Sequence, residues 1–170
     1  NYQWVPSNIW VGIGRMKSEE VFFPLEPLYK RKGIGYKQAK VISFHPEGDA
    51  TETNGFVTIE YNFGENAGVQ EKVNYDYLIN ATGPKLAFEL TEGLNPGTNK
   101  AYSVCTYEHA THASEALLKL IEEIKTSDKK AKILIGTGHA KATCQGAAFE
   151  YILNVEKELV GYGVRDKIEL

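Results

Sequence analysis

The stretch from Lys132 to Leu170 constrains this chain most. A short apolar run, Lys132–Ile135, leads into a glycine turn, Gly136–Gly138, and a helical segment over about 143–159. Gly161 and Gly163 stop that helix, and Asp166-Lys167-Ile168-Glu169-Leu170 reads as a strand just beginning. Strand, glycine turn, helix and strand in this order make a βαβ unit. The carboxy-terminal part is therefore expected to be an α/β layer.

The segment before it is helical. Ala110, Ala113, Leu117, Leu120, Ile121 and Ile124 recur at spacings of three and four, which predicts an amphipathic helix. Thr106 suits its N-cap, Glu108 suits the positively polarised first turn, and Thr126-Ser127-Asp128 ends it. The first hundred residues carry strand patterns instead. Residues 1–36 read as loops and short elements, with Pro6, Pro24 and Pro27 as breakers and Trp4, Trp10, Phe22 and Phe23 demanding burial or a flat ligand. A strand is expected over Ile34–Phe44, a turn at 46–49, and a half-buried strand at Phe56–Tyr61, where the period is two. Residues 62–68 read as a turn, Val69–Val73 as an antiparallel return, and Tyr75–Asn80 as an apolar strand ending at Ala81-Thr82-Gly83-Pro84. A loop rich in Gly, Asn and Pro follows at 92–99. The layout is a β-meander with a buried strand beside it, then a βαβ unit: an α/β chain with an α+β mixture.

Composition narrows the function. With 170 residues, 42% hydrophobic, the chain can build the core of one domain, or one domain plus an appendage. A net charge of −3 offers no basic field for nucleic acid. No apolar run approaches the roughly 18 residues of a bilayer span, and the start lacks a signal-peptide pattern, so a soluble, intracellular chain is expected. Two cysteines with no Cys-x-x-Cys spacing and no histidine pair at ligand spacing predict no metal site. The opening on Asn1 and the strand beginning at the end suggest a segment of something longer.

Several residues could carry chemistry. Gly136-Thr137-Gly138-His139-Ala140-Lys141 begins like a dinucleotide fingerprint but has Lys141 in place of the third glycine; a plain βα turn has the same appearance. Cys144 stands near the start of the second helix with His139 and Lys141 close by, a setting in which reactive cysteines occur, although most free cysteines are small buried hydrophobes. Cys105 stands just before the first helix in a similar setting, so the pair hints at thiol redox chemistry. His109 and His112 follow Cys105 by four and seven residues, and helical geometry would stack all three on one face. Imidazole titrates near neutrality, so His109 could move protons there; a surface histidine is the plainer reading. The strand exit at Ala81-Thr82-Gly83-Pro84 would let a flat cofactor approach the backbone, because Gly83 has no side chain to block it.

Taken together these residues resemble the sulfide:quinone oxidoreductase family of flavoproteins with two dinucleotide-binding domains. The matching strings are Tyr2 through Gly14, Tyr75 through Phe88, and Ser103-Val104-Cys105-Thr106 with His109-Ala110. Ala142 through Glu150 and Arg165-Asp166-Lys167 complete them, in family order. The resemblance implies the central fragment of a tandem Rossmann-like flavoprotein. Residues 1–100 would be the remainder of an FAD-binding domain with a meander insertion, 101–130 a linking helix segment, and 131–170 the start of a second dinucleotide-type domain. It also implies FAD, with electrons passing from sulfide to a membrane quinone and sulfide leaving as zero-valent sulfur or polysulfide. Cys144 matches a redox-active cysteine, Cys105 a further cysteine near the flavin, and His109 a histidine suggested for proton handling. Ala81, Thr82, Gly83 and Pro84 match the flavin-contacting strand exit, Ser7 and Asn8 the loop near the isoalloxazine, and Val41 a backbone contact to adenine. The partners implied are sulfide, polysulfide, a membrane quinone and further copies of the same protein. The intact protein would be cytoplasmic and peripheral to the cell membrane.

The family's G-x-G-x-x-G would precede Asn1, and its second redox cysteine, quinone pocket and docking helices would follow Leu170. This stretch alone is therefore expected to be inactive. Three alternatives stand beside that reading: a type II NADH:quinone reductase-like flavoprotein, a non-catalytic binding or assembly domain on the same fold, and delivery of electrons to a cytochrome.

Overall fold

The computed structural model describes residues 1–98, 100–142 and 144–170. Asn99, at the end of the expected 92–99 loop, and Thr143, inside one matching string, lie outside the described residues. The chain is mixed α/β and divides into two compact units, Leu25–Pro84 and a second made of Asn1–Pro24 with Lys85–Leu170.

The Leu25–Pro84 unit is a meander. A short helix is followed by three antiparallel strands in sequential order. In chain-wide numbering, in which β1, β2 and α1 belong to the other unit, these are α2 (Glu26–Arg31), β3 (Ala39–His45), β4 (Phe56–Tyr61) and β5 (Gln70–Asn74). Pro27 sits in the first turn of α2, where a missing N–H costs nothing, so it starts a helix rather than breaking one. Strand β4 has the bounds that its alternation predicts, and it supplies the buried residues of the sheet: Phe56, Val57 and Ile59. The ring of His45 stacks on Phe56 at 4.4 Å, and the ammonium of Lys72 lies 4.4 Å from the centre of the same ring. The β3–β4 loop is tied to β5 through Asp49, which accepts from the backbone N–H groups of Thr51 and Glu52, from the Thr51 hydroxyl and from Lys72. The Lys72 ammonium, with help from Thr51, holds the Asp49 carboxyl well below the usual carboxylate range.

Two strand expectations need correction here. Strand β3 starts at Ala39, not Ile34, because its partner β4 ends at Tyr61, opposite Ala39, and beyond that pair only a 3.5 Å bond from the Asn62 N–H to the Gln38 carbonyl links the two segments. Tyr75–Asn80 forms no strand. The ladder closes with the Tyr75 N–H donating to the Gly55 carbonyl at 3.1 Å, and beyond it Tyr77 is 94% and Ile79 87% exposed. A strand exists only against a partner, and no described strand lies beside these residues.

The other unit is built on α3 (Tyr107–Lys125), the helix that the apolar spacing predicts. The Thr106 hydroxyl accepts from the His109 N–H at 3.2 Å, in the expected capping role. Thr106→Ala should therefore cost about 1 kcal/mol of stability, read by urea unfolding of the chain. Leu117, Ile121 and Ile124 form one stripe of α3 and pack with Val155 and Leu159 of α4 (Gly146–Gly161) and with Ile168. Strand β6 (Ala131–Lys132) pairs in parallel with β7 (Ile168–Glu169), Ala131 opposite Ile168, so the βαβ unit is present. Gly163 takes a left-handed conformation just past α4 and lets the chain turn back into β7. The expected buried strand over Lys132–Ile135 shrinks to two residues. The Ile133 N–H still donates to the Glu169 carbonyl at 2.8 Å, but Leu134 faces away from the core, 93% exposed.

At the amino terminus, β1 (Tyr2–Gln3) pairs antiparallel with β2 (Phe22–Phe23), and α1 (Asn8–Gly12) packs on α3. Pro6 sits in a 3-10 turn over Val5–Ser7. Trp4, Trp10 and Phe23 stay exposed, since strands of two residues and a helix of five offer too little surface to enclose them.

Candidate functional site

Five of the sequence-derived candidates, Ser7, Asn8, Cys105, His109 and Cys144, lie in the unit that contains α3 and α4. Ser7 ends the 3-10 turn and Asn8 opens α1. Asn8 is 0% exposed; its Oδ1 accepts from Gln3 Nε2 at 3.2 Å, while its Nδ2 donor has no partner among the described residues. A buried donor left unpaired costs free energy, so this amide is ready for an acceptor that the described residues do not supply.

Cys105 precedes α3 and is exposed, with its N–H donated to the Ser103 hydroxyl at 3.0 Å. Because Cys105 lies outside the helix, the expected single face of Cys105, His109 and His112 does not form; His112 is exposed while His109 is half-buried. The His109 ring meets Phe88 edge-on at 5.5 Å, and its Nδ1 has no partner among the described residues. Cys144 is a free, exposed thiol two residues before α4, which begins at Gly146. Neither thiol is the buried hydrophobe that most free cysteines are.

Val41 and Ala81, Thr82, Gly83 and Pro84 lie in the meander unit. Val41 is in β3 next to an irregularity in the ladder, and the structure leaves it partly exposed. The 81–84 segment is exposed. The Thr82 N–H and hydroxyl both donate to Asn80 Oδ1, and Gly83 has φ +73° with no atom within 4 Å of where a Cβ would stand. The backbone at Gly83 is open, but it follows an unpaired segment and not the strand that the sequence pattern predicts.

Gly12 was missed by the sequence reading, and it joins three of these segments. An added Cβ there would stand 2.7 Å from Val104 Cγ1 and 3.1 Å from Tyr151 Cε2. The Tyr151 hydroxyl donates to the Gly12 carbonyl at 2.9 Å, and burial pushes the phenol up to about 12. The helix that Asn8 opens, the residue before Cys105 and the helix that follows Cys144 therefore meet at one point. A second tie links Arg15 to Glu158 of α4, Nε to Oε1 at 2.8 Å and Nη2 to Oε2 at 2.7 Å. The only signal for it in the sequence was a carboxylate among Tyr151, Val155 and Leu159 on the inward stripe of α4.

Only the second glycine of the turn at 136–138 is contacted by its own chain: a Cβ at Gly138 would stand 2.1 Å from Leu94 Cδ2, whereas one at Gly136 would meet no atom within 4 Å. The Thr91 hydroxyl donates to the Gly138 carbonyl at 2.9 Å. Among the described residues no three metal-ligating side chains converge, and no helix is long and apolar enough to cross a membrane.

No family model matches the chain. It is 27% identical over 169 residues to a sulfide-quinone reductase of Aquifex aeolicus, covering 99% of this chain and 34% of that protein. The crystal structure of the sulfide:quinone oxidoreductase from the same hyperthermophilic bacterium superposes with a TM-score of 0.66 at 27% identity, over 98% of this chain and 33% of the other. The chain thus spans about a third of the length of the relative it matches. Sequence and fold point the same way: over nearly all of its residues this chain is similar to a sulfide-quinone reductase.

Proposed function

We propose that this chain forms the flavin-facing middle of a sulfide:quinone oxidoreductase. One observation carries the reading: the similarity to a protein named for sulfide and quinone runs through 99% of the chain, with every candidate residue inside it. The unpaired buried amide of Asn8 suits the hydrogen-bonding edge of a flat cofactor, and the open backbone at Gly83, in the other unit, leaves room for a flat group. The family resemblance assigns Ser7 and Asn8 to the loop near the isoalloxazine of FAD, Ala81–Pro84 to a flavin-contacting segment, and the Val41 backbone to adenine. When bound, FAD supplies the two-electron chemistry that links thiol oxidation to quinone reduction.

The chain's own residues do the rest. Hydrosulfide attacks a disulfide or polysulfide bridge between Cys144 and a second cysteine, which the family resemblance places outside these 170 residues. A sulfur–sulfur bond forms and another breaks, leaving a persulfide on one cysteine and a thiolate on the other, the electron pair going to the departing sulfur. Cys105 assists sulfur transfer near the flavin. His109 handles the proton, its Nδ1 being unpaired. In this reading residues 131–170 begin the second dinucleotide-type domain, and the intact protein lies on the cytoplasmic face of the membrane as a homo-oligomer.

The NADH-dependent alternative would need a competent second fingerprint, and Lys141 stands in place of its third glycine. The test is anaerobic stopped-flow on the protein expressed from its full reading frame. Sulfide is expected to bleach the flavin absorbance, and NADH to leave it unchanged. Bleaching by NADH alone would overturn the reading, and a protein that purifies without flavin would favour a binding or assembly role.

A further inference from the structure

We propose that Tyr151 is a positioning residue: its hydroxyl, donated to the Gly12 carbonyl, sets the end of α4 near Cys144 at a fixed separation from the start of α3 near Cys105. The consequence for catalysis rests on the sulfide-oxidising reading above; the geometric claim does not.

Two polar ties hold α4 to the amino-terminal segment. Glu158 binds Arg15, and Tyr151 binds Gly12 seven residues earlier, two turns along the same face. Gly146, at the helix start, stands about 18 Å from Glu158 along the axis, at 1.5 Å per residue. With only the Glu158 tie left, a tilt of about 5° moves that end by roughly 1.5 Å. Misplacement of about 1 Å at a reacting group can cost about 100-fold in rate. The phenol remains protonated, and so remains a donor, throughout the physiological range, because burial has pushed it up to about 12.

Gly12 gauges the same distance from the other side. It is the last residue of α1 and its φ is not left-handed, so a penalty for Gly12→Ala is steric. The added methyl meets Val104, next to Cys105, at 2.7 Å and the Tyr151 ring at 3.1 Å. It would wedge the α3 start and α4 apart. Val104→Ala removes the tighter of the two clashes.

Cys105 and Cys144 are the two cysteines of the 170 residues and both are exposed, so each takes a spin label in full-length protein whose cysteines outside these residues are replaced by serine. Pulsed dipolar spectroscopy should give a single narrow distance distribution in the parent chain. Y151F is expected to broaden it or shift it by roughly 1.5 Å. G12A should shift it, G12A/V104A should restore most of it, and L153A, on the exposed side of α4, should leave it unchanged. A Y151F distribution identical to the parent overturns the proposal, and Y151F alone decides if G12A does not fold. In the flavin-loaded full-length protein, Y151F should lower kcat for sulfide about tenfold with KM unchanged. A parent unreactive toward sulfide, combined with a Y151F distance shift, would sink the sulfide reading and leave the positioning claim standing. A reactive parent matched by Y151F in kcat would sink the catalytic consequence.

Discussion

Cys144→Ser is expected to lower sulfide-dependent flavin reduction by about 10³-fold or more, the scale lost when a covalent nucleophile is removed. Serine keeps the size of the side chain but cannot form the sulfur–sulfur bond that exchange requires. The site makes this a clean substitution. Cys144 is a free, exposed thiol two residues outside α4, so serine there should change stability by no more than about 0.5 kcal/mol. Flavin content and unfolding midpoint should match the parent. Cys105→Ser should retain measurable reduction, because its proposed role is assistance. Stopped-flow at fixed sulfide with both variants reads the contrast. Undiminished reduction in Cys144→Ser would remove that residue from the mechanism and leave Cys105 as the thiol to pursue.

Elements whose cause is local could be read directly from the chain. The bounds of β4 follow from period-2 alternation, and those of α3 from an apolar stripe with a threonine positioned to accept from His109 N–H. What failed was the extent of three strand readings, while Val69–Val73 shifted by only one residue, to Gln70–Asn74. Residues 34–38, 75–80 and 133–135 carry the residue types of strands, but a ladder belongs to two segments, and one segment's periodicity cannot report where the other stops. The candidate site divides the same way. That Cys144 stands ahead of a helix and that Gly83 leaves its backbone open are properties of short strings. The Tyr151–Gly12 and Arg15–Glu158 ties span 139 and 143 residues and left almost no trace in the pattern. The close approach of Leu94 to Gly138 was equally hidden.

The Arg15–Glu158 tie leads to the largest expected effect on stability. Glu158 is 4% exposed, whereas the Arg15 side chain is 60% exposed, so the two partners lose very different amounts of hydration on folding. An ion pair with one end in water contributes little by itself. The carboxylate is another matter, because removing the guanidinium leaves a buried negative charge among Val155, Leu159 and their neighbours. Arg15→Met should therefore lower the melting temperature by roughly 6–12 °C, the shift expected for orphaning a buried charge in a chain of this size. Glu158→Leu removes the charge itself, leaves the arginine in solvent and adds an apolar side chain to an apolar stripe. It should shift the melting temperature by no more than about 2 °C. The double variant should resemble Glu158→Leu, not the sum of the two single changes, since the penalty arises from one unpaired group and not from a lost attraction. Differential scanning calorimetry of the four chains decides it. An Arg15→Met chain that melts with the parent would mean that the Glu158 carboxylate reaches water without its partner, and the tie would then orient α4 without protecting a charge.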